Sequence, residues 1–143
     1  MYLSNCIIVL RYRSHTFSFK RIMTPLDGVK LGDSTEMEKS TAHIIVEIIE
    51  YVSNSVVIKT IIKKATGSIS VMSFDSGEGL TEKTTPFDTF AQILEGKAEI
   101  VIDKVSHMLV AGEGIIIPAH TSNYIKPNGR FKMISTVIKS GYE

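Results

Sequence analysis

The sequence predicts an all-β barrel of the jelly-roll type, with about eight short antiparallel strands and little helix. Three observations carry that prediction. From Ser55 onward, apolar and polar side chains alternate with a period of two. Gly, Pro, Asn and Asp punctuate that alternation at regular intervals. The length of 143 residues suits one core, because a chain this size buries most of its apolar surface only as a single unit.

The strands follow in order. Residues 55–62 place Val56, Ile58, Thr60 and Ile62 on one face and Val57, Lys59 and Ile61 on the other. Lys63 to Gly67 form a polar turn, and residues 68–74 alternate again. The connection from Asp75 to Gly79 is rich in glycine. It lacks the Gly-Lys-Ser/Thr ending of a phosphate loop and precedes no helix. Residues 89–95 and 97–103 flank Glu95-Gly96, where glycine can supply the positive φ of a tight hairpin. A turn at Asp103-Lys104 leads to residues 106–110. Gly112 and Gly114 frame the next turn, and 114–118 is a short apolar strand ending at Pro118. Residues 122–126 and 130–138, joined by Pro127-Asn128-Gly129, complete the set.

The chain before Ser55 reads differently. Residues 1–40 are expected to be an irregular extension, either disordered or outside the native product, whose start would then be Met23 or Met37. Whether residues 1–36 belong to that product is left open by the sequence. The first 22 residues carry Arg11, Arg13, Lys20 and Arg21 and no acid. The remaining 41–143 form the single barrel domain. Residues 43–52 mix periods, so a strand near His43 and a helical turn near Glu47–Tyr51 are both allowed. His43 and His107 read as surface residues.

Composition excludes several function classes. Sixteen basic residues balance 15 acidic ones, so no field favours nucleic acid or an anionic membrane. The one cysteine, Cys6, forms no internal disulfide framework and fits a reducing compartment, with the cytoplasm expected. No apolar run reaches the roughly 20 residues that a membrane helix needs. No serine stands in an elbow motif, so a nucleophilic triad is not indicated.

The stretch from Gly77 to Asn128 carries a family resemblance. Gly79-Leu80-Thr81-Glu82 through Asp88, then Ile93-Leu94-Glu95-Gly96, then Ala111-Gly112-Glu113-Gly114 through Pro118, resembles the two consecutive motifs of the small single-domain cupins. The likeness extends over residues 45–140. It implies a cupin barrel, and a homodimer in which an N-terminal strand joins the partner's sheet. In that family the first motif carries two histidines one residue apart, then a glutamate, then a glycine. Anchored on Gly96, the two histidine positions fall on Lys83 and Thr85 and the glutamate position on Thr89. Anchored on Gly112 and Pro118, the second-motif histidine position falls on Asn123.

Those replacements decide the expected chemistry. Transition metals in such a site take imidazole nitrogen or carboxylate oxygen. A lysine ammonium has no free lone pair, threonine hydroxyls are poor ligands, and asparagine offers one weak carbonyl. No metal and no cofactor is therefore expected. The fallback is a shifted set of Glu82, Asp88 and His120, although Asp88 is better suited to a salt bridge or turn. The expected function is a metal-free barrel binding or sensing a small anionic molecule in its mouth, through Lys83, Thr85, Gln92 and Asn123. The lysine would act as a point charge while the amides and hydroxyl set orientation. The alternative is a metal-dependent isomerase, dioxygenase or decarboxylase with an unusual ligand set. The Val/Ile-rich segment 43–62 offers apolar surface for dimerisation.

Overall fold

The alternating runs become strands of one antiparallel barrel. A computed structural model describes residues 7–13, 16–22 and 36–141, the first two segments as backbone. The strands are β1 (Ile7–Arg13), β2 (Thr16–Ile22), β3 (Val56–Lys64), β4 (Gly67–Phe74), β5 (Leu80–Thr84), β6 (Asp88–Ile102), β7 (Val105–Val110), β8 (Gly114–Ile117), β9 (Ser122–Lys126) and β10 (Phe131–Ile138). Hydrogen-bonded neighbours run β2-β1-β3-β4-β10-β6-β9-β5, with β7 and β8 also paired to β6. The barrel proper is the eight strands from Val56 to Ile138, the expected number. The helical content among the described residues is a single turn, Ile45–Glu47.

Everything is hung on β6. Its first half pairs with β10 and β8, and its second half with β7 and β9. One strand thereby serves both walls of the jelly roll. The hairpin expected at Glu95-Gly96 does not exist, because β6 runs straight through it. Register explains this. Lys132 pairs with Glu95 and Met133 with Ile93, leaving Leu94 as the extra residue of a bulge. The bulge turns the strand and exchanges its faces, so Thr89, Ala91 and Ile93 point inward before it and Ala98, Ile100 and Ile102 after it. Gly96 has φ +78, and a Cβ there would lie 2.4 Å from the Arg130 carbonyl oxygen. The glycine is needed for a bend within a strand instead of a reversal between two.

One strand was not anticipated and one other expectation changes. Residues 80–84 are a strand, although Thr81-Glu82-Lys83-Thr84 shows no apolar alternation. Residues 7–13 and 16–22, expected to be irregular, form a hairpin on the edge of the sheet. There Ile8, Val9 and Leu10 pair with Ile58, Val57 and Val56. Its β-branched run and the alternation of Phe17 and Phe19 suit a strand, and β3 offers an unpaired edge to complete. Residues 1–6 and 23–35, also part of the expected extension, lie outside the described residues.

The inner core holds Val56, Phe74, Ala91, Ile93, Ala98, Ile100, Phe131 and Met133. Phe74 and Phe131 stack at 4.2 Å between ring centroids. Each fully buried Val, Ile, Phe or Met side chain among them contributes about 1.5–3 kcal/mol. A second cluster lies on the outside of the wall, where Ile45, Ile48 and Ile49 cover Val57 and Val71. That covering segment is tied down by side chains reaching out of the sheet. Lys132 Nζ donates to the Val46 carbonyl at 2.7 Å, Ser73 Oγ to Glu50 at 2.8 Å, and Lys59 Nζ to Ile48 at 3.2 Å. The apolar surface of residues 45–49, expected to face a partner, is thus spent within the chain.

Candidate functional site

The site begins with another bulge. On β5, Leu80 pairs with Ile125 and Lys83 with Asn123, so three steps on β5 match two on β9. In a regular strand Leu80 and Lys83 would face opposite sides. The extra residue brings both to the same face, toward the interior. Asn123 pairs on its other side with Ile102 of β6. Thr85 follows Lys83 by two residues and keeps that face, while Thr89 and Ala91 approach along β6.

These residues line one cavity with about 40 Å³ of space for water-sized groups. Lys83, Thr85, Thr89, Asn123, Tyr124 and Ser135 are its polar residues, against an apolar lining that includes Met72, Leu80, Ile117 and Met133. All four ligand positions set by the cupin spacing therefore converge. Gln92 does not join them. It pairs with Gly114 and Ile134, between the inward-facing Ala91 and Ile93, and so belongs to the opposite face of β6. Ser135 was missed, although its step of two from buried Met133 is the signal that places it inside.

The polar groups differ in how they are satisfied. Asn123 is buried, and its Nδ2 donates to the Lys83 carbonyl at 3.3 Å and the Thr121 carbonyl at 3.2 Å. This holds the amide and fixes the direction of Oδ1. Thr85 Oγ1 donates to the Phe87 carbonyl at 3.0 Å. The Lys83 ammonium has no hydrogen-bond or ion-pair partner among the described residues, and no carboxylate lines the cavity. Although the residue as a whole is exposed at the sheet edge, desolvation of its amine pushes the pKa below the ordinary lysine value.

The shifted metal set is not assembled. Glu82 is exposed and accepts from Ser122 Oγ. Asp88 Oδ1 accepts from the Ala119 N–H at 2.7 Å and so buttresses the β8–β9 turn. His120 sits in that turn with φ +61, exposed, its own N–H donating to the Thr85 carbonyl at 2.7 Å. No three His, Cys, Asp or Glu side chains come together among the described residues. His43 and His107, read as surface residues, are each half-buried, and neither lines the cavity. The donors that do converge, an ammonium, hydroxyls and one amide, do not fit a divalent transition metal.

No protein-family model matches the chain, and neither does any of the curated proteins. Solved structures do. A conserved Streptococcus pyogenes protein of unknown function superposes with a TM-score of 0.70 at 24% identity, over 74% of this chain and 93% of its own. A cupin superfamily protein from Desulfitobacterium hafniense DCB-2 superposes with a TM-score of 0.65 at 29% identity, over 73% of this chain and 94% of its own. The chain has the cupin fold. A cupin 2 conserved barrel domain protein from Leptotrichia buccalis gives 0.64 at 26% identity, over 66% of this chain and 46% of its own length. The cupin barrel explains why the spacing of Gly96, Gly112 and Pro118 located an inward-facing set even though none of the expected ligand types stands there.

Proposed function

We propose that this cupin barrel binds or senses a small anionic molecule, held without a metal at Lys83, Thr85 and Asn123. One observation carries the reading: a cation is turned into a cavity that contains no anion of its own. A charged group that is partly desolvated in this way gains from an anion that pairs with it. Lys83 supplies the attraction as a point charge, and the fixed Asn123 amide with the Thr85 and Thr89 hydroxyls selects orientation. The small volume favours the head of a ligand, a carboxylate or similar group, with any larger part reaching out through the mouth.

Native mass spectrometry of the purified protein, followed by titration with acetate, oxalate and phosphate, tests this. Saturable binding of one of these anions that is lost in Lys83→Met supports the reading, whereas binding unchanged by that substitution overturns it. Stoichiometric divalent metal carried through purification would favour the metal-dependent alternative. The same spectrum reports mass, and a homodimer is part of the proposal. Phe90 and Ile116 are paired across β6 and β8 and both exposed, which supports association through that outer face. A monomer at micromolar concentration would remove that part.

A further inference from the structure

Lys83 has features that electrostatic binding alone does not require. A lysine that serves only as a point charge does so best when fully protonated and solvated. Here the β5 bulge aims the amine at an apolar wall of Met72, Leu80, Ile117 and Met133, and no carboxylate stands opposite to hold its proton. Desolvation moves it toward the neutral amine. Neutral amines in apolar pockets are nucleophiles toward carbonyl carbon.

We propose that Lys83 condenses with a short 2-oxo acid to form an imine inside the barrel. The inference rests on the anion-binding reading above and names the ligand class. The Nζ lone pair attacks the carbonyl carbon, giving a carbinolamine. Its hydroxyl then leaves as water, so that the ammonium and the carbonyl compound become a protonated imine and one water molecule. Charge is conserved throughout: one positive nitrogen and one carboxylate stand on each side of the step. The carboxylate accounts for the attraction to Lys83 before reaction and remains beside the iminium afterwards. Asn123 faces Lys83 across the strand pair, and its anchored amide leaves Oδ1 available to the carbinolamine hydroxyl. The hydroxyls of Thr85, Thr89 and Ser135 are among the remaining polar groups that line the cavity and can relay its proton. A cavity of about 40 Å³ holds only about three water-sized groups, which restricts the acid to a very short chain.

The test uses the full chain, glyoxylate as the probe and borohydride to reduce any imine to a stable amine. Peptide mapping by mass spectrometry then reports where the adduct lies. The expected result is an adduct at Lys83 several-fold above that at Lys132 or any other exposed lysine. It should be absent in Lys83→Met and in Lys83→Arg, with pyruvate reacting less than glyoxylate. Adducts no more frequent at Lys83 than at the other exposed lysines would overturn the proposal. Oxalate, which presents no ketone or aldehyde, separates the two readings. If it binds the parent protein and Lys83→Arg but glyoxylate leaves no Lys83 adduct, imine formation falls and the anion site stands. If neither compound engages Lys83, both fall.

Discussion

At one end of the barrel interior Phe74 and Phe131 stack and are fully buried, together with Ile93. At the other, Lys83, Thr85 and Thr89 stand beside Asn123 around open space. The same strands build both ends: β4, β6 and β10 give Phe74, Ile93 and Phe131 to the first, and Met72, Thr89 and Ser135 to the second. Side-chain size falls and polarity rises along each strand. The closed end gains close-packed contacts, whereas the open end leaves a cation and several hydroxyls without full partners. Two lysines make the same contrast. Lys132 is buried on the outer face, with its Nζ bonded to the Val46 carbonyl, 3.8 Å from Glu95 and 5.0 Å from the Tyr51 ring centre. Lys83 has no such company. The fold satisfies the buried cation Lys132, and it gives Lys83, at the exposed rim of the cavity, no partner among the described residues.

Phe131→Ala tests that division most severely. It should cost about 3–5 kcal/mol in urea unfolding, the range for emptying a packed aromatic site. A loss below roughly 1 kcal/mol would mean that the closed end is not the source of stability. Gly96→Ala should follow, at about 1–3 kcal/mol, because alanine would be forced to positive φ against the Arg130 carbonyl. Its thermal midpoint would report the loss. The lysines come next. Lys132→Met leaves the Val46 carbonyl without its partner and should cost about 1–3 kcal/mol. Lys83→Met should stay within about 0.5 kcal/mol of the parent. Equal losses in parallel denaturation curves would erase the distinction between the two.

The smallest effects are in pH, and they have opposite positions at the two ends. The Asn54 N–H and then Arg130, each 2.7 Å from Asp75, hold its carboxyl below the ordinary aspartate value. A depressed carboxylate stabilises the folded chain above its unfolded pKa of 3.8, and that contribution is lost as pH falls through the lower folded value. Asp75→Asn should therefore flatten the acid limb of a stability–pH curve. Lys83 acts on the alkaline limb. Its folded pKa lies below the unfolded 10.5, so between the two values the unfolded chain holds the extra proton and stability rises with pH. Lys83→Met should remove that rise, and a persistent rise would assign it to another group.

Much of the barrel was legible because a half-buried strand must alternate, and most strands from Val56 to Ile138 do. The errors have specific physical causes. Gly96 signals positive φ, which serves a bulge as well as a hairpin, and local sequence does not distinguish them. β5 was hidden because Glu82, Lys83 and Thr84 lie at a polar sheet edge, where no apolar face marks the strand. Gln92 was misplaced even though its own alternation with Ala91 and Ile93 turns it outward. Lys83, Thr85, Thr89 and Asn123 were found through family spacing; their residue types alone suggest no shared site. The covering of the outer wall by residues 45–49 depends on Lys132 and Lys59 reaching distant carbonyls, and no local pattern announces it.

The extra residue on β5 gives this site an unusual kind of fragility. Every side chain in the cavity could be kept and the site still abolished by deleting Thr81 alone, because the parity of the strand would invert and Lys83 would point to solvent. Adding a residue back anywhere between Leu80 and Lys83 would restore it. For a protein engineer, or for natural variation, this cavity-lining face is governed by a count of backbone steps as much as by the chemistry of its residues.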